Sequence, residues 1–168
     1  MFCVKRVILF QMVVFSISQT AFADLPEVGT NSGTYRGHTS QVADEVTVFQ
    51  GIGYAAPPVG VLRWKPPAPA IPFAGVKAAD RVGAACWQAR NPDNSVYARG
   101  NLHRSEDCLY LNVYAPPQIA SSAKKAAPVL VFFHGGSYTM DDSSNQRHNG
   151  TYLAKLHNLV VITANYRF

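Results

Sequence analysis

Three apolar segments in the second half of the chain predict β-strands. Residues 109–114 alternate with a period of two, which is typical of a half-exposed strand. Residues 129–133 and 159–162 are continuously apolar and rich in β-branched and aromatic side chains, which predicts central strands covered on both faces. Residues 152–157 predict a short helical crossover between them, so the pattern indicates an α/β unit.

The first half of the chain has shorter patterns. Residues 33–41 and 45–50 carry alternating Tyr, Val and Phe positions separated by turn residues, which predicts the two strands of a hairpin. From residue 51 to 73, repeated proline and glycine exclude a regular helix or a central strand. Apolar side chains still recur there, so we expect an ordered coil lying over a surface and not a linker. These side chains are Ile52, Tyr54, Leu62, Trp64 and Phe73.

The N-terminus has the pattern of a secretory signal peptide. Lys5 and Arg6 precede an apolar run over residues 7–15, and small residues lead up to Ala23. We therefore expect residues 1–23 to be a signal peptide cleaved after Ala23, followed by a flexible lead-in over 24–32 and one domain over 33–168. An uncleaved anchor is the alternative, but the run is far shorter than the roughly 20 residues that span a bilayer. The expected location is secreted or periplasmic, without a stable membrane anchor.

Composition restricts the class of protein and its partners. The 168 residues are 48% hydrophobic and 15% charged, as in a globular domain. The formal charge of +5 falls to +3 when Lys5 and Arg6 are left out, since 13 basic residues then face 10 acidic ones. The basic residues are scattered, so we expect no nucleic-acid partner. The chain has neither metal-ligand spacing nor a phosphate-binding loop, so no metal and no cofactor are expected.

Cysteine usage agrees with export. Of three cysteines, Cys3 lies in the signal peptide, which leaves Cys86 and Cys108. An even pair in an exported chain favours one disulfide, which would close a loop of about 23 residues and contribute about 3 kcal/mol by chain entropy. Two unpaired buried thiols are the alternative.

Candidate chemistry lies directly after the apolar segment 129–133, at His134-Gly135-Gly136-Ser137. Two glycines after a strand let the backbone turn sharply and present N–H groups, as in the oxyanion loops of lipases and esterases. The alternative is an ordinary Gly-Gly turn. Ser137 could also be the nucleophile of an incomplete G-x-S-x-G elbow. Thr139 replaces the last glycine of that motif, however, and turn-forming residues follow where a helix is required.

Several segments in a fixed order resemble the type-B carboxylesterase family, which includes the cholinesterases. The most specific is Ser-Glu-Asp-Cys-Leu-Tyr-Leu-Asn-Val at 105–113, which resembles the family's second signature. The resemblance extends from about residue 33 to the last residue. The other matching segments are 49–55, 57–64, 86–88, 134–137 and 165–167.

The resemblance implies the N-terminal part of an α/β-hydrolase fold, truncated before the nucleophile elbow. Within Gly135, Gly136 and Ser137, it implies that the amides of the last two residues are the oxyanion donors. It also implies a disulfide between Cys86 and Cys108. The chain departs from the family at Gly53, where proline is usual, and at Ser137, where a third glycine is usual.

The resemblance further implies a buried ion pair between Arg63 and Glu106. On the sequence alone, both would be surface charges, so this pairing rests on the resemblance. None of the four remaining histidines matches a catalytic position of the family, and we expect them to be surface or loop residues. They are His38, His103, His148 and His157.

The catalytic Ser, acid and His of the family all lie beyond Phe168, so no catalytic residue is expected here. We therefore expect a fragment of a secreted carboxylic ester hydrolase, a serine esterase with an acyl-enzyme mechanism, that is inactive alone. The substrate of the intact enzyme would be a small-molecule carboxylic ester. A non-catalytic binding or adhesion module and a non-functional remnant are the alternatives. Asn149-Gly150-Thr151 is a formal glycosylation sequon.

Overall fold

The computed structural model describes residues 25–90, 102–117 and 126–168. The expected signal peptide and its cleavage site lie outside these ranges. Ten strands, an α-helix (α1, Thr151–His157) and 3-10 turns at Gly60–Leu62 and Gln146–His148 occur in the described residues. The strands are β1 (Glu27–Thr30), β2 (Gly33–Arg36), β3 (His38–Thr39), β4 (Thr47–Gly53), β5 (Val76–Ala78), β6 (Ala85–Cys86), β7 (Arg104–Ser105), β8 (Tyr110–Ala115), β9 (Val129–Phe133) and β10 (Val160–Ala164).

The main sheet has the strand order β3-β4-β8-β10-β9. β8 pairs antiparallel with both β4 and β10, whereas β10 pairs parallel with β9, with Ile162 opposite Val131. Because α1 lies between β9 and β10 along the chain, these three elements form the predicted α/β unit. This mixed sheet is consistent with part of an α/β-hydrolase fold.

The exposure of two predicted strands differs from the expectation. The five residues of β9 are 38–63% exposed, so the prediction that this strand is covered on both faces is wrong. The physical reason is its position, because β9 is at the edge of the sheet and has only β10 beside it among the described strands. In β8, predicted to be half-exposed, Asn112 and Tyr114 are buried, because Tyr114 packs against Ala154 of α1 and the Asn112 side chain is covered by the segment around Ser143.

The remaining strands cover the main sheet. The predicted hairpin is formed by β3 and β4, which pair antiparallel. β2 instead belongs to a second sheet, where it pairs antiparallel with β1 and parallel with β5. The lead-in expected over residues 24–32 therefore contains a strand, β1, whose four residues are all exposed.

Two apolar clusters cover opposite faces of the main sheet. On one face, Tyr114 and Val161 pack with Ala154 of α1. On the other face, Phe49 packs with Tyr35 of the second sheet. The main sheet is therefore covered by α1 on one side and by the β1-β2-β5 sheet on the other. Within the described ranges, no helix is long and apolar enough to cross a membrane.

The proline-rich tract is a coil anchored near its two ends. Near its start, the Tyr54 hydroxyl donates to the carbonyl of Asn165 at 2.7 Å. At its end, the ring of Phe73 meets the ring of Tyr35 edge-on at 5.1 Å. The middle is not held in this way, because the Trp64 side chain is 77% exposed. The expectation of a coil held by its apolar side chains is thus met at the ends of the tract, whereas a polar side chain, Arg63, pairs with Glu106 in the middle.

Candidate functional site

The segment after β9, residues 134–141, forms a loop with an unusual backbone; we call it the Gly-Gly loop. Gly136 has φ +116°, and a Cβ there would lie 2.1 Å from the Met140 carbonyl oxygen. Ser137, Tyr138 and Asp141 also have positive φ, at 54°, 59° and 82°. Left-handed conformations cost L-residues about 1–2 kcal/mol each. The rest of the structure must therefore hold this loop in its conformation.

Inside the loop, one carbonyl oxygen accepts several hydrogen bonds. The oxygen of Gly136 accepts from the amides of Thr139 at 3.0 Å and Met140 at 3.2 Å, and also from the Thr139 hydroxyl. In contrast, the amides of Gly136 and Ser137 have no acceptor among the described residues. Two adjacent amides of this kind can donate to an anionic oxygen. They are the two donors that the family resemblance implies.

An open cavity of about 500 Å³ adjoins the loop. The residues that line it are Phe133, His134, Gly135, Ser137, Tyr138 and Tyr166. His134 is buried, and its Nδ1 lies 2.8 Å from the carbonyl oxygen of Gly135. The cavity is therefore formed largely by the Gly-Gly loop itself. A ligand in it would contact backbone more than charged side chains.

Tyr166 holds the beginning of the loop. Its hydroxyl donates to the carbonyl oxygen of His134 at 2.8 Å, and the two rings stack with centroids 4.5 Å apart. Burial, followed by the nearby Tyr138 and Asp141, raises the pKa of Tyr166. The hydroxyl consequently stays protonated and remains a donor. The resemblance included residues 165–167 but gave Tyr166 no role.

Gln88 holds the end of the loop. Its Nε2 donates to the Asp141 carbonyl oxygen at 2.8 Å, and the Asp141 amide donates to its Oε1, also at 2.8 Å. Nε2 additionally donates to the carbonyl oxygen of Cys86 at 3.1 Å. The sequence indicated Gln88 only as part of a matching motif. Its partner 53 residues away could not be found from spacing.

The Asp141 carboxylate is also held in place. Burial alone would raise its pKa, but hydrogen bonds from Asn145 and the Asp142 amide, together with the charges of His148 and His134, lower it. Nε2 of His148 lies 3.7 Å from the carboxylate. The His148 side chain is only 13% exposed, so the expectation of a surface or loop residue holds for its loop position but not for its exposure.

Two buried asparagines fix the segment that follows the loop. Asn165 accepts from the Ser143 amide at 2.8 Å and donates to the carbonyl oxygens of Ala84 and Cys108. Asn112 donates to the carbonyl oxygen of Ser143 at 3.3 Å. Both asparagines belong to the matching segments. The Asn165 side chain thereby satisfies the Ser143 amide and the Ala84 carbonyl oxygen, two backbone groups that cost free energy when they are buried unpaired.

The structure contains a disulfide between Cys86 and Cys108, both buried, with Cα atoms 4.9 Å apart.

The structure also brings Arg63 and Glu106 together, through Nε of the arginine. The expectation that this pair is buried is wrong, because the two side chains are 52% and 39% exposed. They lie beside the exposed Trp64 ring on an open surface cavity, where water screens the pair.

The other candidate residues are dispersed. His38 is on β3 and His157 is at the end of α1, while His103 is exposed. Ser137 has no histidine as a side-chain partner among the described residues, so the described geometry gives no support to a nucleophile there. Asn149 is exposed, and its side chain accepts from the Thr151 amide at 2.9 Å.

Over the same described ranges, no group of three or more His, Cys, Asp or Glu side chains is placed to hold a metal ion. The donors that the site presents are the backbone amides of Gly136 and Ser137. The loop, its two anchoring side chains and the adjoining cavity make up the candidate site.

Comparisons with known proteins agree with this geometry. A sequence model described as "Carboxylesterase family" matches residues 24–168. Acetylcholinesterase-1 of Trittame loki is 32% identical over 168 residues, covering 98% of this chain and 30% of that protein. The medium-chain fatty acyl-CoA hydrolase precursor of Anas platyrhynchos is 37% identical over 155 residues, covering 86% and 27%. This chain thus spans about 30% of the length of these relatives.

Solved structures show the same relationship in three dimensions. A PNB esterase superposes with a TM-score of 0.74 and 34% sequence identity, covering 85% of this chain and 28% of its own. At this level of identity, the superposition supports both the fold and common descent.

Proposed function

Because the chain belongs to the carboxylesterase family, we propose that it supplies the oxyanion-binding part of a serine ester hydrolase. The observation that carries this proposal is the pair of adjacent amides, of Gly136 and Ser137, without acceptors in a loop held at both ends. In the reaction, a serine attacks the ester carbonyl carbon. The carbonyl oxygen becomes negatively charged, and these two amides donate hydrogen bonds to it.

Such donors contribute strongly to the rate. Removing one donor from an oxyanion hole lowers kcat by about 100- to 1,000-fold. The stabilised intermediate then expels the alcohol, and water hydrolyses the acyl-enzyme. We propose that residues outside these 168 supply the attacking serine together with its catalytic acid and base. The 168-residue chain alone is proposed to be inactive for that reason.

The substrate class in this proposal is a small carboxylic ester. The relatives bear names that refer to different acyl compounds, such as acetylcholine and fatty acyl-CoA. The proposed location is secreted or periplasmic, based on the signal-peptide pattern that ends at Ala23.

The test is ester hydrolysis by the protein expressed from its whole reading frame, with p-nitrophenyl acetate as substrate. We expect turnover that an organophosphate abolishes by modifying a single serine. The matched control is the 168-residue chain, for which we expect no turnover above buffer. A folded protein without turnover would reject the hydrolase and favour a binding module. A protein that never folds would favour a non-functional remnant.

A further inference from the structure

We propose that Gln88 is a positioning residue that sets the conformation of the Gly-Gly loop and thereby the direction of its two free amides. The proposal rests on the ester hydrolase function proposed above. Gln88 is not among the residues that line the cavity at the loop, so it does not contact the substrate there. It acts through the backbone of Asp141, to which it makes two hydrogen bonds of 2.8 Å.

The need for such an anchor follows from the backbone of Asp141. This residue has φ 82°, a conformation that is unfavourable for an aspartate. A single hydrogen bond would leave the neighbouring peptide groups free to rotate. Gln88 binds both the N–H and the C=O of Asp141, and two bonds from one rigid amide group fix the orientation of that residue.

A change in the orientation of Asp141 would also shift the amides of Gly136 and Ser137, because Met140 contacts both Asp141 and Gly136. The residue before it, Met140, donates its amide to the Gly136 carbonyl oxygen at 3.2 Å. The Met140 carbonyl oxygen also occupies the space where a Cβ of residue 136 would be. Rotation at Asp141 would therefore move Met140 against Gly136. Misplacement by about 1 Å in an active site can cost about 100-fold in rate.

The Gln88 side chain is itself held in place by a hydrogen bond to a disulfide-bonded residue. Its Nε2 also donates to the carbonyl oxygen of Cys86, a buried residue bonded through its sulfur to Cys108. The carbonyl oxygen of Cys108 accepts from the side chain of Asn165, directly after β10. The anchor thus connects the loop to the main sheet through the disulfide.

The test uses Gln88→Ala and Gln88→Glu, with Gln146→Ala as the matched control. Gln146 is exposed, and among the described residues its side chain has no hydrogen-bond partner. Gln88→Glu keeps the size and one acceptor oxygen but replaces the donor with a carboxylate oxygen that faces two carbonyl oxygens. It therefore removes the donor, keeps one acceptor and adds a negative charge, whereas Gln88→Ala removes the donor and the acceptor without adding charge.

Two measurements are made on the protein expressed from its whole reading frame. For hydrolysis of p-nitrophenyl acetate, we expect both Gln88 variants to lower kcat about 10- to 100-fold, with KM changed less than about twofold. For amide hydrogen exchange, we expect Thr139 and Met140 to exchange at least about tenfold faster, with β8 and β10 unchanged. The Gln146→Ala control should match the wild type in both.

The outcomes separate this proposal from the function on which it rests. Unchanged kcat in an active protein would overturn the role of Gln88 and leave the hydrolase intact. Exchange that accelerates equally in the loop and in β8 and β10 would mean a general structural role and would also overturn it. If the wild type does not hydrolyse esters, the proposed function fails. The exchange of Thr139 and Met140 then decides whether Gln88 holds the loop.

Discussion

Gly136 is the residue at which local geometry is most restrictive. With φ +116° and the Met140 carbonyl oxygen 2.1 Å from the position of a Cβ, no other residue fits without moving the loop. We expect Gly136→Ala to lower the free energy of unfolding by more than about 1 kcal/mol, measured by urea denaturation. The control is Gly135→Ala, because a Cβ there meets nothing within 4 Å. Equal stability of the two variants would contradict this account.

Ser137 is a second residue whose type conflicts with its backbone. Its φ of 54° costs a serine about 1–2 kcal/mol, whereas glycine has no such cost. Glycine also has more conformational freedom in the unfolded chain, and this entropy offsets part of the gain. We therefore expect Ser137→Gly to raise the free energy of unfolding by about 1 kcal/mol or less. Loss of the hydroxymethyl group should also widen the cavity that Ser137 lines, which we take as the acyl site of the proposed hydrolase.

The effect on substrate choice can be measured as the ratio of kcat/KM for p-nitrophenyl butyrate to that for p-nitrophenyl acetate. We expect the ratio to rise in the Ser137→Gly variant of the protein expressed from its whole reading frame. A ratio that stays at the wild-type value would show that Ser137 does not shape the acyl site.

At the scale of elements, β9 is an apolar strand with one unpaired edge among the described residues, and its side chains are 38–63% exposed. Such edges pair with other chains and promote aggregation. We expect Val131→Lys to reduce light scattering by the 168-residue chain at neutral pH, because charge on an edge strand opposes pairing. The control is Val82→Lys, which changes an exposed valine outside the strands. Equal scattering by both variants would exclude β9 as the aggregating edge.

The sequence predicted the type and order of the elements better than it predicted their burial and their long-range contacts. Continuous apolar runs predicted β9 and β10, and the helical segment between them predicted the α/β unit in which the two strands pair. The prediction that β9 is covered on both faces was wrong, because an apolar run indicates that a strand can be buried but does not show which elements pack against it. Likewise, the anchors at Gln88 and Tyr166 join positions 53 and 32 residues apart, which no local pattern encodes.

At the scale of the whole molecule, Asp141 connects the Gly-Gly loop to acid stability. Its pKa is lower in the folded protein than the usual value of 3.8. The carboxylate therefore stabilises the fold above the unfolded-state pKa of about 4, and this contribution is lost as pH falls through the lower folded-state pKa.

We expect Asp141→Asn to destabilise the protein at pH 7 and the difference from wild type to shrink as pH falls below about 4. The measurement is the urea midpoint of both proteins between pH 7 and pH 3. Asp44→Asn, in an exposed turn, serves as the control. A difference that stays constant over this range would show that the charge of Asp141 does not stabilise the fold.

The two anchors of the Gly-Gly loop bear on how such a loop could be transplanted in protein engineering. Tyr166 follows β10, and Gln88 follows β6, so the loop conformation depends on three separate parts of the chain. A graft of residues 134–141 alone onto another sheet would lack both anchors and would relax away from its left-handed backbone. The smallest transferable unit is therefore β9 with its loop, the end of β10, and the disulfide-bonded segment that contains Gln88.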